Sequence, residues 1–111
     1  MFSEKPWAAI CIVTTTVPSE EIARQLAQSL VRSRLAACAQ TEPITSHYQW
    51  QDALCEGPEW RIVFKTLPHA LARLAQRLRA EHPYEVPQLL MRTEQCAADY
   101  AQWMRAGVDV D

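Results

Sequence analysis

The 111 residues predict a single α+β domain, spanning positions 1–111, in which the elements run β, α, β, β, α, β and close on a short helix. Three observations predict it. An apolar run is followed by a capped amphipathic segment, two alternating stretches flank a turn-rich segment, and a second amphipathic segment passes through a Pro-bounded loop to a last short strand. The chain has room for one core and no second domain. Its composition, 49% apolar and 22% charged, is that of a globular protein.

Residues 7–16 (WAAICIVTTT) are apolar on both alternating faces, with Ala9, Cys11 and Val13 on one side and Ala8, Ile10 and Ile12 on the other. A strand buried on both sides belongs in the middle of a sheet. Val17-Pro18-Ser19 breaks it. Ser19 then offers an oxygen to a free first-turn N–H, and Glu20 and Glu21 face the positive end of the helix dipole. Ile22, Ala23, Leu26, Ala27, Leu30 and Val31 recur at helical spacing, with Arg24, Gln25, Gln28 and Arg32 opposite them.

Pro43 is expected to separate the end of this helix from a second strand over residues 44–51, which alternates Ser46, Tyr48 and Trp50 with Thr45, His47 and Gln49. Residues 52–58 read as a turn, with Gly57-Pro58 its clearest signal. A third strand over 60–66 sets Trp60, Ile62 and Phe64 against Arg61, Val63 and Lys65, and the two strands form a long hairpin. Pro68 opens the second helix, whose buried side is Leu71, Leu74, Ala75 and Leu78. Pro83 disfavours a helical residue before it and ends the helix. A last strand near 88–93 precedes a short helix over 97–106 that packs Tyr100, Trp103 and Met104 and stops at Gly107.

This order is the split βαβ, ferredoxin-like arrangement, an antiparallel sheet with two helices on one face. The other face is left without helices, and its aromatic and β-branched side chains would form a sizeable exposed patch on a monomer. Burial of that face against copies of the same chain is the expected remedy. A domain this short also gains stability from association.

The net charge of −2 and pI of about 5.9 provide no long-range attraction for nucleic acid or for an anionic membrane. Arg outnumbers Lys nine to two, but Arg24, Arg32, Arg73 and Arg77 fall on outer helix faces and read as solvated surface. No apolar run reaches the roughly 18 to 20 residues of a membrane span, and the opening residues lack the pattern of an export signal, so the cytoplasm is the expected compartment. Cys11, Cys38, Cys55 and Cys96 form no CxxC pair or compact zinc pattern and are expected as free thiols. Cys11 and Cys38 read as core, and Cys55 as an exposed turn residue. No Ser/His/Asp set, glycine-rich phosphate loop or spaced acid pair occurs, which predicts that the protein is not an enzyme.

Leu35-Ala36-Ala37-Cys38 after the first helix, Thr45-Ser46 with Tyr48 and Trp50, Lys65-Thr66, His82-Pro83-Tyr84-Glu85-Val86-Pro87, and Tyr100 with Trp103 follow one another in order. Over residues 12–103 this set resembles the CutA divalent-cation tolerance family. The resemblance implies a ferredoxin-like subunit in a homotrimer joined through its long hairpins, with a build similar to the nitrogen-regulatory PII proteins. It also implies a link to divalent-cation tolerance, with copper or another divalent cation bound by some members and no established reaction. Some members carry a cysteine near the end of the first strand and a His-His pair before Pro-Tyr as copper ligands. The matching positions here are Thr15, Glu81 and His82, so one of three ligands is kept. The family glycine after the hairpin Trp is Asp52, its second PYExPE glutamate is Gln88, and the glycine before the last helix is Cys96.

The metal candidates are therefore His82, Glu81 and Cys38, with His47 as a further donor and other subunits completing the site. Against this, His82 also reads as a helix-stop and hydrogen-bonding residue. Lys65, Tyr84, Glu85 and Tyr100 are the candidates for a pocket that holds a small anion between subunits, or for a salt bridge and tyrosines that hold the interface. Tyr48, Trp50 and Trp60 are the candidate trimer contacts.

Overall fold

The computed structural model describes residues 6–108. The expectation that no export signal opens the chain concerns residues 1–5 and lies outside them. The chain forms β1 (Trp7–Val17), α1 (Glu20–Arg32), β2 (Cys38–Trp50), β3 (Ala53–Thr66), α2 (Leu71–Glu81), β4 (Leu90–Ala97) and α3 (Ala98–Gly107), with a 3-10 turn at Pro68–Ala70 leading into α2. One four-stranded sheet has the order β2-β3-β1-β4, and every neighbouring pair is antiparallel. This is the ferredoxin-like arrangement.

The two-sided apolarity of β1 gives it a central place with a core on each side. Val13 and Val17 pack with Ala23, Leu26 and Leu30 of α1, Leu74 and Leu78 of α2, and Ile62 and Phe64 of β3. Ile10 and Ile12 pack on the other side with Ala101, Met104 and Val108. The second face of the sheet is thus not bare, because α3 covers one end of it. The periodicity of α3 showed an apolar side but not where the sheet would receive it.

Ser19 caps α1, its Oγ accepting the Ile22 N–H at 3.2 Å. Past the helix, Arg34 turns left-handed at φ 62, and the Leu35 and Ala36 N–H groups both return to the Leu30 carbonyl. The Thr66 hydroxyl then donates to the Leu35 carbonyl at 2.7 Å, and the Ala37 N–H to the Lys65 carbonyl at 2.9 Å, which steers the chain into β2. Val31, expected on the apolar side, lies at its rim and is 36% exposed.

The hairpin differs from expectation in three ways. β2 starts at Cys38, so Pro43 lies inside it opposite Trp60. The turn is Gln51-Asp52, both with positive φ, and residues 53–58 are strand, including Gly57 and Pro58. Cys55 is consequently a half-buried strand residue and not an exposed turn residue. Both prolines sit where a missing N–H breaks no ladder bond. β2 is an edge strand, and Pro58 lies on the part of β3 that runs past the last β1 pair, Val17 with Trp60. The fourth strand also begins later and extends further than residues 88–93, because Trp7 through Thr14 of β1 supply eight partners for it.

The outcome is a projecting ribbon. Among the described residues, 53–59 of β3 pair only with β2, an overhang of roughly 20 Å at about 3.3 Å per residue. The molecule measures 58 × 24 × 20 Å with a radius of gyration of 15.7 Å, against about 13 Å for a compact chain of this length.

Candidate functional site

Where the ribbon leaves the body, the loop between α2 and β4 closes a cleft of about 820 Å³. Tyr48 and Trp50 of β2, Glu59 of β3, Thr16 of β1, and Tyr84 and Glu85 of the loop line it. Strand alternation sets Tyr48, Trp50 and Glu59 on the same sheet face.

His82 fixes the loop. It ends α2, is 8% exposed, and its Nε2 lies 3.0 Å from the Thr16 carbonyl and 2.9 Å from Thr15 Oγ1. Its Nδ1 accepts the Tyr84 N–H at 3.0 Å, which places the ring proton on Nε2 as donor to β1. Burial pushes the imidazole below its ordinary pKa, and the Thr16 carbonyl and the Glu59 charge pull partly the other way. Tyr84, its ring tilted against His82 at 5.1 Å, donates its hydroxyl to Glu59 Oε2 at 2.7 Å. The Ser46 hydroxyl donates to Glu59 Oε1 at 2.6 Å. Burial, followed by the bond to Glu59 and its charge, holds the Tyr84 phenol well above the ordinary range, so it stays a neutral donor. One hydrogen-bonded path therefore ties β1, the loop, β3 and β2 together.

The other candidates lie elsewhere. Glu81 points away from His82, accepting from Ser29 Oγ at 3.0 Å and pairing with Arg77. Cys38 stands half-buried at the start of β2 opposite Lys65. His47 is exposed on the ribbon, 3.5 Å from a Glu56 oxygen. Among the described residues no three His, Cys, Asp or Glu side chains gather to hold a metal ion, so within one chain His82, Glu81 and Cys38 do not form a donor set. Lys65 Nζ lies over the Tyr100 ring at 5.7 Å, and Tyr100 stacks with Trp103 at 5.5 Å. Lys65 and Tyr100 thus sit roughly 20 Å along β3 from Glu59, apart from Tyr84 and Glu85 within the chain. Trp60 packs half-buried against the helices, on the opposite sheet face from Tyr48 (51% exposed) and Trp50 (64% exposed). Cys11 is buried, and burial raises its thiol pKa.

Sequence reasoning missed Glu59. Its role depends on a register that pairs it with Ile44, and the displaced turn hid that register.

The fold and cleft define a ferredoxin-like domain with an overhanging β-ribbon and a carboxylate held by two neutral hydroxyls. A profile of the CutA1 divalent ion tolerance protein family matches residues 11–107. The divalent-cation tolerance protein CutA of Thermus thermophilus is 42% identical over 96 residues, which cover 85% of this chain and 93% of that protein. The solved structure of CutA from Synechococcus elongatus superposes with a TM-score of 0.88 at 38% identity and 92% coverage of each chain. A structure of CutA from that organism complexed with Bis-Tris gives 0.84 at 37% identity, covering 91% of this chain and 95% of the other. The chain belongs to the CutA1 divalent ion tolerance family.

Proposed function

We propose that this chain serves divalent-cation tolerance as a cytoplasmic homotrimer with no catalysed reaction of its own, taking up copper at positions shared between subunits. The projecting ribbon carries this reading. A two-stranded ribbon is marginal alone in water, yet this one displays Tyr48, Trp50 and Leu54, each more than half exposed and distributed over both of its faces. Packing against ribbons and sheets of other copies supplies the missing partner. Sedimentation at micromolar concentration tests it. A mass three times that of the 12.7 kDa chain is expected, and a stable monomer would overturn the reading.

Copper enters this reading through His82. Its free lone pair is on Nδ1 and already accepts the Tyr84 N–H, so a metal must displace that bond. Glu81, Cys38 or His47 of another copy completes the coordination. Copper and zinc titrations of the wild type against His82→Ala and Cys38→Ser test this, and unchanged affinity in both variants would remove these residues from the site.

A second reading is favoured by the cleft itself, a PII-like sensing module that holds a small molecule where subunits meet. Tyr84 and Glu85 border the cleft, and Lys65 and Tyr100 of a neighbouring copy would supply the positive charge an anionic ligand needs. The relative complexed with Bis-Tris supports the accommodation of a small molecule by this kind of chain.

A further inference from the structure

We propose that the cleft beneath the ribbon takes a small organic cation, an alkylammonium compound whose charged head sits among Tyr48, Trp50 and Tyr84 and faces Glu59 and Glu85. The proposal rests on one part of the second reading, that the cleft holds a small molecule, and replaces the anion named there with a cation.

Charge is the first argument. Among the described residues the lining contains two carboxylates and neither Lys nor Arg. Glu59 receives its hydrogen bonds from Ser46 and Tyr84, both neutral hydroxyls, and among the described residues it makes no ion pair, since Arg61, two residues along β3, pairs with Glu42. Glu85 is exposed at the cleft wall. Within one chain an anion meets only carboxylates at this lining, since Lys65 is engaged over Tyr100 about 20 Å away along β3.

Shape and ring chemistry separate an organic cation from a metal ion. Divalent ions need several converging oxygen, nitrogen or sulfur donors, and among the described residues no such trio exists. An ammonium head needs none. It is held by the negative faces of aromatic rings and by carboxylates at short range, and three aromatic side chains border this cleft. Tyr84 stays protonated and keeps its hydroxyl on Glu59, which fixes both the ring and the carboxylate. The volume, about 820 Å³, lies within the range of small-molecule sites. A second copy packing on Tyr48 and Trp50 would close the open side and leave Glu59 and Tyr84 as the floor.

Choline and its uncharged isostere 3,3-dimethylbutan-1-ol are the probes, titrated by calorimetry and tryptophan fluorescence into the full chain while its mass is recorded. Choline is expected to bind at least tenfold more tightly than the isostere, roughly the worth of one partly desolvated cation–π and charge contact. Glu85→Gln and Trp50→Ala should each weaken choline by roughly two- to thirtyfold, and Glu59→Gln should do the same with the far-ultraviolet spectrum unchanged. Equal affinity for choline and the isostere overturns the proposal. So does binding of inorganic phosphate in place of choline, which would leave the second reading standing with an anionic ligand, and so does a zinc site that Glu59→Gln abolishes. No binding of any probe, including loss of choline binding on assembly because a second copy fills the cleft, overturns the proposal and the second reading together.

Discussion

At the scale of single residues, His82 is the side chain on which the site's geometry depends. It satisfies the Thr16 carbonyl and the Tyr84 N–H in a buried setting, so His82→Ala leaves both without their partner. A buried unpaired group costs about 1–3 kcal/mol, and denaturant unfolding of the variant should show a loss of about 2–3 kcal/mol. The imidazole pKa in the fold lies below its ordinary value of 6.5, chiefly through burial. As pH falls the unfolded chain therefore takes up the proton first, and stability declines. The stabilisation from neutral His82 is complete above about 6.5 and is lost as pH falls from there through the lowered folded value. The melting temperature of the metal-free protein should drop across that window, and His82→Asn should flatten the drop. An equally steep acid limb in the variant would place its cause elsewhere. Arg34 shows a different local compromise. Its left-handed φ of 62 would suit glycine, but its Nη2 donates to the Ala106 carbonyl at 2.9 Å and ties α1's end to α3.

Among the elements, the ribbon's turn is the clearest departure from local preference. Gln51 and Asp52 have φ of 51 and 63, the pattern of a type I′ turn, which favours Asn-Gly. Replacing the pair with Asn-Gly should stabilise the protein by about 1 kcal/mol, since each L residue in the left-handed region is strained, and should raise the melting temperature at fixed protein concentration. An unchanged or lower value would mean that the turn's side chains make contacts in the assembly worth as much as the strain. This turn also explains what could be read from the chain. Helical spacing, Ser19 and the two-sided apolarity of β1 are local signals, and they located α1, α2 and β1 correctly. Gly57-Pro58 is a strong local turn signal, yet here it lies in strand, because past the end of β1 nothing requires the Pro58 N–H. The true turn carries no glycine, so pairing with β2 overrode local chemistry. The site was legible in the same uneven way. The loop that carries His82, Tyr84 and Glu85 is continuous in sequence, whereas Glu59 joins it only through cross-strand register.

For the whole molecule, the relevant quantity is the mismatch between a body with two cores and a ribbon with none. Ile62, Phe64, Leu74 and Leu78 are fully buried, and opening them costs much of the molecule's stability, on the order of 3–5 kcal/mol for a truncation such as Phe64→Ala. Residues 44–59 have no comparable support among the described residues, as Tyr48, Trp50 and Leu54 are 51%, 64% and 78% exposed. Local opening follows local burial, so in an isolated subunit the ribbon amides should exchange with solvent far faster than those of β1. Association that buries the ribbon reverses this by mass action. Hydrogen exchange followed over a dilution series should therefore show ribbon protection that rises with protein concentration while β1 protection changes little. The double variant Trp50→Glu, Leu54→Glu should abolish the concentration dependence and lower the mass, leaving the exchange of β1 near that of the diluted wild type. Ribbon amides that stay protected at the lowest concentration in a monomeric sample would show that the ribbon stands on its own, and the case for assembly through it would fail.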